Sequence, residues 1–209
     1  CTCLLIVCHL HNEHPYHVLS YHTHTHIQHQ RRYGKAGKRE VMEPHQQLMQ
    51  RGDLIRWINV PSDAEIVFVS HEWLSFAHPD PDGTKLRVLC RVLERLKEGD
   101  IERVDMSPMH AMLYNQNFTI LSQDWKNMLR RTYLWIDWCS MPQPSAESVE
   151  EIGQERMADL RERGSRAIRS IPAYVERSDF MMILAPPGEH KDRGTLRVCS
   201  HFYKSFTSQ

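Results

Sequence analysis

The sequence lacks the features that define several large functional classes. Its six cysteines include no Cys-x-x-Cys pair and no regular spacing, which argues against a disulfide framework. No glycine-rich phosphate loop of the GxGxxG or Walker type is present, so ATP or a Rossmann-type dinucleotide site is not expected. Lys+Arg and Asp+Glu both number 26, and the basic residues alternate with acidic ones. We therefore expect no nucleic-acid partner.

Long apolar runs are also absent from the sequence. The stretch CLLIVC, residues 3–8, is too short for a signal-peptide core with its flanks or for a bilayer span. No other run approaches about 18 residues, the length that a membrane helix needs. We expect no membrane association. Cys90 and Cys139 are predicted to be reduced and buried, which favours the cytoplasm.

Residues 1–41 are predicted to form a His-rich, disordered N-terminal segment. Eight of the 14 histidines lie between His9 and His29, and a basic stretch without periodicity follows. Such a tract could alternatively bind Zn²⁺ or Ni²⁺ loosely. Because the chain begins with Cys1, we also expect a fragment, a processed product or a translation that starts upstream of the true methionine.

Residues 42–209 carry the pattern of a packed α/β domain. Three apolar runs have the length and composition of buried parallel strands. They are Glu65–Val69, Tyr133–Trp138 and Phe180–Leu184. Stretches of helical periodicity lie between them, the clearest over 84–98 and the longest over 146–170. This alternation predicts an open parallel sheet with right-handed crossovers and helices on both faces.

Polar residues follow all three predicted strands. The sequence SHEW follows the first, residues 137–143 contain the polar end of the second, and residues 186–190 follow the third. Ligands of open parallel sheets bind outside the carboxyl ends of the strands. The sequence therefore predicts a ligand crevice at this edge.

The same residues allow three other interpretations. A metal site could draw on His71, His78 and the nearby aspartates, although their spacing matches no known metal motif. Cys139 and His71 could form a nucleophilic pair, although the neighbours of Cys139 suggest burial. Finally, Ser70 and Asp137 could simply cap helices or tie loops together.

Three sequence blocks in order resemble the heterokaryon-incompatibility (HET) domain. They are VFVSHEW, YLWIDWCSMPQ, and IPAYVERS followed by FMMILAP, and together they cover 66–187. HET domains are in turn similar to Toll/interleukin-1 receptor (TIR) domains. The resemblance implies a flavodoxin-like parallel sheet. The C-terminal residues lack the Trp-Cys-x-x-Glu continuation of many TIR domains, so we expect a missing or altered terminal element.

The resemblance also implies a set of ligand-binding residues. Carried over by position, Ser70, His71 and Trp73 occupy the first block. Asp137 and Gln143 keep the six-residue spacing of the second block. No metal ligand and no catalytic residue is assigned.

The sequence departs from the HET pattern at two of these blocks. Leu74 follows the tryptophan where the family has glycine, and Ser140 occupies the cysteine position of the second block, with Cys139 one place early. Both blocks are therefore matched in order and spacing but not residue by residue.

What the resemblance implies about function depends on one glutamate. Many TIR domains hydrolyse NAD⁺ with a glutamate in the helix before the fourth strand, but the corresponding window here, RAIRS, has no carboxylate. We therefore expect a signalling domain that acts by self-association or by binding protein partners, with a nucleotide as a ligand and no obligatory cofactor. The alternative is an NAD⁺ nucleosidase that recruits Glu162, Glu176 or Glu72, because hydrolysis needs a carboxylate beside the cationic sugar.

Overall fold

A computed structural model describes five parts of the chain: 6–8, 19–22, 41–105, 112 and 119–197. Its strands are β1 Ile6–Cys8, β2 Leu19–His22, β3 Leu54–Arg56, β4 Glu65–His71, β5 Arg103–Asp105, β6 Thr119–Leu121, β7 Thr132–Trp135, β8 Phe180–Leu184, β9 Gly188–His190 and β10 Thr195–Arg197. Its helices are α1 His45–Arg51, α2 Thr84–Glu98, α3 Ser122–Met128, α4 Asp137–Ser140, α5 Val149–Ile152, α6 Gln154–Arg169 and α7 Ile171–Glu176.

A six-stranded sheet with the order β1-β8-β4-β7-β2-β3 forms the centre of the described structure. Its middle strand, β4, pairs in parallel with β7 on one side and with β8 on the other. The flanking strands β1 and β2 pair antiparallel with this centre, and β3 pairs antiparallel with β2. The expectation of a parallel sheet is thus confirmed for three strands, whereas the whole sheet is mixed.

Helices cover both faces of the sheet, as the sequence predicts. Alternate residues of a strand point to opposite faces, and β4 buries both sets. Val67 and Val69 pack in one hydrophobic cluster with α2 and α3, whereas Ile66 and Phe68 pack in another with α7. The second cluster is largely aromatic, and the ring of Phe68 stacks on that of Trp135 at 4.6 Å. Burial on both faces explains why β4 reads as a continuous apolar run.

The amphipathic pattern of the clearest predicted helix is confirmed in α2. Its buried apolar residues are leucines at steps of three and four residues, which places them on one side of the helix. They are Leu86, Leu89, Leu93 and Leu96. The helix ends at Gly99, whose φ of 87° lies in the left-handed region that glycine adopts without a steric penalty.

Two predicted element boundaries are wrong. The second strand was expected to extend to Trp138, but β7 ends at Trp135 and Asp137 begins the short helix α4. The long helix expected over 146–170 is divided at Gly153 into α5 and α6. Gly153 has a φ of 80° and a ψ of 161°, a conformation that does not continue a helix.

Parts of both ends of the chain remain predictions. Apart from β1, β2 and residue 41, the segment 1–41 lies outside the described residues, and its expected disorder stays a prediction. The tail from residue 198 onward, where a missing or altered element was expected, also lies outside them. In the described part of the chain, no helix combines the length and the apolar character that crossing a membrane requires.

Candidate functional site

Asp137 is the centre of the polar contacts at the carboxyl edge of the sheet. Its Oδ1 accepts hydrogen bonds from His71 Nε2 at 2.8 Å and from the backbone N–H of Trp138 at 2.6 Å. Its Oδ2 accepts one from the indole Nε1 of Trp73 at 2.9 Å. The side chains of two predicted ligand-binding residues, His71 and Trp73, therefore both bond the carboxylate of a third, Asp137.

The pairing of β4 with β7 produces this arrangement. The two strands run in parallel with Phe68 opposite Trp135, so their carboxyl ends lie side by side. His71 is the last residue of β4, and Asp137 begins α4 two residues after β7. Asp137 also lies in the first turn of α4, where the N–H groups of a helix favour a negative charge.

Asp137 is an ionised carboxylate that is largely shielded from water. Burial acts to raise its pKa, but the hydrogen bond and charge of His71, together with the bonds from Trp73 and Trp138, hold the pKa below its ordinary value of 3.8. Because an ionised carboxylate only accepts hydrogen bonds, His71 donates from Nε2. The His71 side chain is 1% exposed and the Asp137 side chain 23% exposed, so only the carboxylate reaches the surface.

Gln143 fixes the loop that follows α4. Its buried amide Nε2 donates to the carbonyl oxygens of Asp137, at 2.9 Å, and of Met141, at 3.0 Å. Its backbone exchanges two further bonds with the side chain of Gln46 in α1, at 2.8 and 3.2 Å. Gln143 therefore holds the loop in place through its amide donors and connects it to α1.

A cleft of about 470 Å³ opens beside these residues. Three predicted site residues line it: Trp73, Asp137 and Gln143. The remaining lining residues come from the loop after α4, from α6 and from the start of α7. They are Met141, Pro142, Pro144, Arg161, Gly164, Ser165, Ile168, Arg169 and Ile171. The volume lies within the range of small-molecule sites in proteins, about 300–1,000 Å³.

The other two predicted residues do not line the cleft. His71 lies behind Asp137, fully covered, and acts on the cleft only through that carboxylate. Ser70 is half-buried and pairs with Ile183 of β8. Since it precedes His71 in the same strand, its side chain points to the opposite face of the sheet.

Two arginines of α6 that line the cleft were missed by the sequence interpretation. Arg161 and Arg169 come from a helix that reads as polar throughout, so its charges resemble an ordinary solvated face. The missed signal is the eight-residue spacing of the two arginines, because residues four or eight apart share one side of a helix. Gly164 lies between the two arginines in the same helix. A Cβ at Gly164 would lie 3.2 Å from the carbonyl oxygen of Pro142, so glycine lets α6 approach the loop closely.

The structure gives no support to a nucleophilic role for Cys139. Its thiol is buried on α4 and donates to the backbone oxygen of Glu43 at 3.6 Å. Burial, followed by the charges of Asp137 and Glu43, raises its pKa far above the ordinary value. A thiol that stays protonated is a poor nucleophile.

The residues considered for a metal site are engaged in backbone contacts instead. His78 Nε2 bonds the carbonyl of Met42 at 3.0 Å, and its Nδ1 accepts from the N–H of Asp80. The Asp80 carboxylate accepts from the backbone N–H groups of Lys85 and Leu86, which supports the start of α2. Within the described ranges, no group of three or more His, Cys, Asp or Glu side chains is arranged to hold a metal ion.

Lys85 is the most unusual charged residue near the site. Its side chain is 1% exposed, and within the described structure its Nζ makes no hydrogen bond. Burial lowers its pKa from 10.5 to about 8, against the opposing attraction of Asp80, Glu72 and Asp137. A buried amine of this kind is costly to keep charged.

Comparisons with known proteins assign no relative to this chain. No family model matches the sequence, no curated protein matches it, and no solved structure matches its fold.

Proposed function

We propose that this chain is a TIR/HET-like signalling domain that binds a nucleotide in the cleft beside Asp137 and acts by self-association or through protein partners. The observation that carries the proposal is the position of Asp137. An ionised carboxylate joins the carboxyl ends of two parallel strands and reaches the surface inside a cleft of ligand size.

The order of the parallel strands supports the flavodoxin-like part of the proposal. Along the chain β4 comes first, β7 second and β8 third, and β4 lies between the other two. The chain therefore leaves β4 in one direction to reach β7 and crosses back to reach β8. Flavodoxin-like sheets have this order at their centre.

The composition of the cleft supports a nucleotide. Trp73, Pro142 and Pro144 offer flat apolar surfaces on which a planar base can pack. Asp137 Oδ2 accepts one bond from Trp73 and keeps capacity for a second from a ribose hydroxyl or an amide. Specific orientation by a few polar groups in an apolar cleft is typical of small-molecule sites.

NAD⁺ hydrolysis is the second candidate function, and one observation favours it. Asp137 is an ionised carboxylate in the cleft, and a carboxylate is what stabilises a cationic sugar centre. The three glutamates considered for this role, Glu72, Glu162 and Glu176, do not line the cleft. If the protein is an enzyme, Asp137 is therefore the residue that we expect to face the sugar.

Exposed apolar side chains at the same edge support the interaction part of the proposal. Ile168 at the cleft is 60% exposed and Phe76, after β4, is 63% exposed. We propose these two side chains as contacts for a protein partner or a second copy. The free thiols of Cys90 and Cys139 are consistent with a proposed cytoplasmic location.

Incubation of the purified protein with NAD⁺ separates the two candidate functions. We expect saturable binding without nicotinamide release, together with concentration-dependent assembly in sedimentation velocity. Nicotinamide release that the Asp137→Asn substitution abolishes would instead establish the enzyme. Absence of both binding and release at millimolar NAD⁺ would reject a nucleotide site.

A further inference from the structure

Helix α6 presents two arginines to the cleft. Arg161 and Arg169 both line it and both are exposed. They are eight residues apart, which corresponds to about 12 Å along a helix axis. Ser165 lies midway between them and also lines the cleft. The two guanidinium groups can therefore reach toward the same point above Ser165.

Two other arginines of the same helix form ion pairs within it. Arg163 bonds Asp159 at 2.8 Å, and Arg166 lies 3.8 Å from Glu162, both as i,i+4 ion pairs. These pairs lie on a surface of α6 that does not line the cleft.

Arg161 and Arg169 have no acid at the corresponding positions. Four residues before and after Arg161 are Met157 and Ser165, and Ser165 also precedes Arg169 by four. In the described part of the chain, neither arginine forms an ion pair within 4.0 Å. The cleft therefore receives two arginines that α6 does not neutralise.

The negative charge in the cleft does not offset these two positive charges. Asp137 is the sole carboxylate among the lining residues, and it already accepts from three donors. The other lining groups near α6 are neutral. Two unpaired guanidinium groups beside one carboxylate leave a net positive charge, which attracts anions.

We propose that Arg161 and Arg169 form an anion-binding wall and that the ligand of the cleft carries a pyrophosphate group, which sits above Ser165 between the two guanidiniums. This inference rests on the proposed nucleotide site and names the ligand group that α6 recognises. A guanidinium binds phosphate oxygens through two parallel N–H bonds and stays charged across the physiological pH range. The apolar part of the ligand then lies against Trp73 and the two prolines.

Isothermal titration with inorganic pyrophosphate and with NAD⁺ tests this wall directly. The test protein is the double variant Arg161→Gln/Arg169→Gln, and the matched control is Arg163→Gln/Arg166→Gln on the same helix. All four positions are exposed, so both variants are expected to fold, which circular dichroism checks. We expect the test variant to lose about tenfold in affinity per arginine, roughly a hundredfold in all, because charge-assisted bonds contribute that much each. The control is expected to stay within about twofold of the wild type.

The outcomes distinguish this inference from the proposed function. NAD⁺ binding that is equal in the wild type and the test variant would retain the nucleotide site and overturn the arginine wall. Pyrophosphate binding that depends on the two arginines, without NAD⁺ binding, would support the wall and reject the nucleotide. An equal loss in the test and control variants would show a general charge effect and overturn the wall. Absence of pyrophosphate binding at millimolar concentration would also overturn it.

Discussion

Asp137 carries more of the site than any other single residue, because its two oxygens hold donors from three segments of the chain. His71 comes from the end of β4, Trp73 from the loop after it, and Trp138 from the start of α4. Each donor is shielded from bulk water to a large extent, so its bond to the carboxylate is difficult to replace. The same residue thus positions the strand ends and presents charge to the cleft.

The Asp137→Asn substitution tests this role. An amide has only one acceptor oxygen, so at least one of the three donors faces an NH₂ group. We expect the free energy of unfolding at pH 7 to fall by about 2 kcal/mol, measured by urea denaturation. Because the folded pKa of Asp137 is lowered, its stabilisation is complete above pH 3.8 and is lost as pH falls through the lower folded value. Equal stability of variant and wild type at pH 7 would contradict this role.

Lys85 provides a second prediction for a single residue. Its charge destabilises the folded state, whereas the charge of Asp137 stabilises it. Its folded pKa of about 8 lies below its ordinary 10.5, so the unfolded chain binds the proton more tightly. Keeping the ammonium charged in the folded state costs roughly 3 kcal/mol below pH 8, and the cost disappears as pH rises from about 8 to about 10.5.

Lys85→Met removes this cost while the backbone N–H can still bond Asp80. We expect the variant to be more stable than the wild type at pH 7, by on the order of 1–3 kcal/mol. The advantage is expected to shrink above pH 8. Chemical denaturation of both proteins between pH 7 and pH 10 measures it, and a variant less stable than the wild type at pH 7 would show that Lys85 is a net stabilising charge.

At the scale of secondary-structure elements, the contact between α6 and the loop after α4 shapes the cleft. A Cβ at Gly164 would lie 3.2 Å from the carbonyl oxygen of Pro142 and 3.3 Å from the ring of Pro144. The loop itself is held by Gln143 and cannot move without loss of its amide bonds. A larger residue at this position must therefore push α6 away.

Gly164→Val tests the close approach. We expect a loss of at least about 2 kcal/mol in the free energy of unfolding, because the two added methyl groups overpack a fixed contact. Ser165→Val is the matched control, since it places the same residue at the next, exposed position of the helix. Similar losses for the two variants in thermal or urea unfolding would contradict the close approach, because valine has a higher helix propensity than glycine and only packing distinguishes the two positions.

Local patterns predict some of these elements well and others poorly. β4, α2 and β8 can be predicted from apolar runs and leucine spacing, because the residues of each element alone indicate which positions are buried. The end of β7 cannot be predicted in this way, because the turn at Asp137 depends on hydrogen-bond donors, Trp73 and His71, that lie 64 and 66 residues away. The same limit applies to the cleft, where the predicted Trp73 and Asp137 meet but the arginines of α6 could not be distinguished from a solvated helix face.

At the scale of the whole molecule, two short strands from the first 41 residues complete the sheet. β1 covers the outer edge of β8, and β2 lies between β7 and β3. The local sequence pattern predicts neither strand, because their pairing partners lie far along the chain and the composition around them resembles that of a disordered tail. Without β2, the backbone groups of β3 and of one side of β7 lose their partners.

Removal of residues 1–41 tests whether this segment belongs to the folded domain. We expect the truncated chain to be less stable in urea and to self-associate, because exposed strand edges pair readily with other chains. Sedimentation velocity and denaturation of both lengths measure this. Unchanged stability in a monomeric 42–209 chain would instead support a domain that begins at residue 42.

The indole N–H of Trp73 reports on the proposed nucleotide position beside Asp137. Trp73 Nε1 donates to Asp137 and its ring lines the cleft, whereas Trp125 of α3 is buried beside Phe180. The ¹⁵N-indole spectrum, with Trp73→Phe for assignment, is recorded during a titration with NAD⁺. We predict a saturable shift of the Trp73 resonance with the Trp125 resonance unchanged; a Trp73 resonance that does not move at millimolar NAD⁺ would contradict the account.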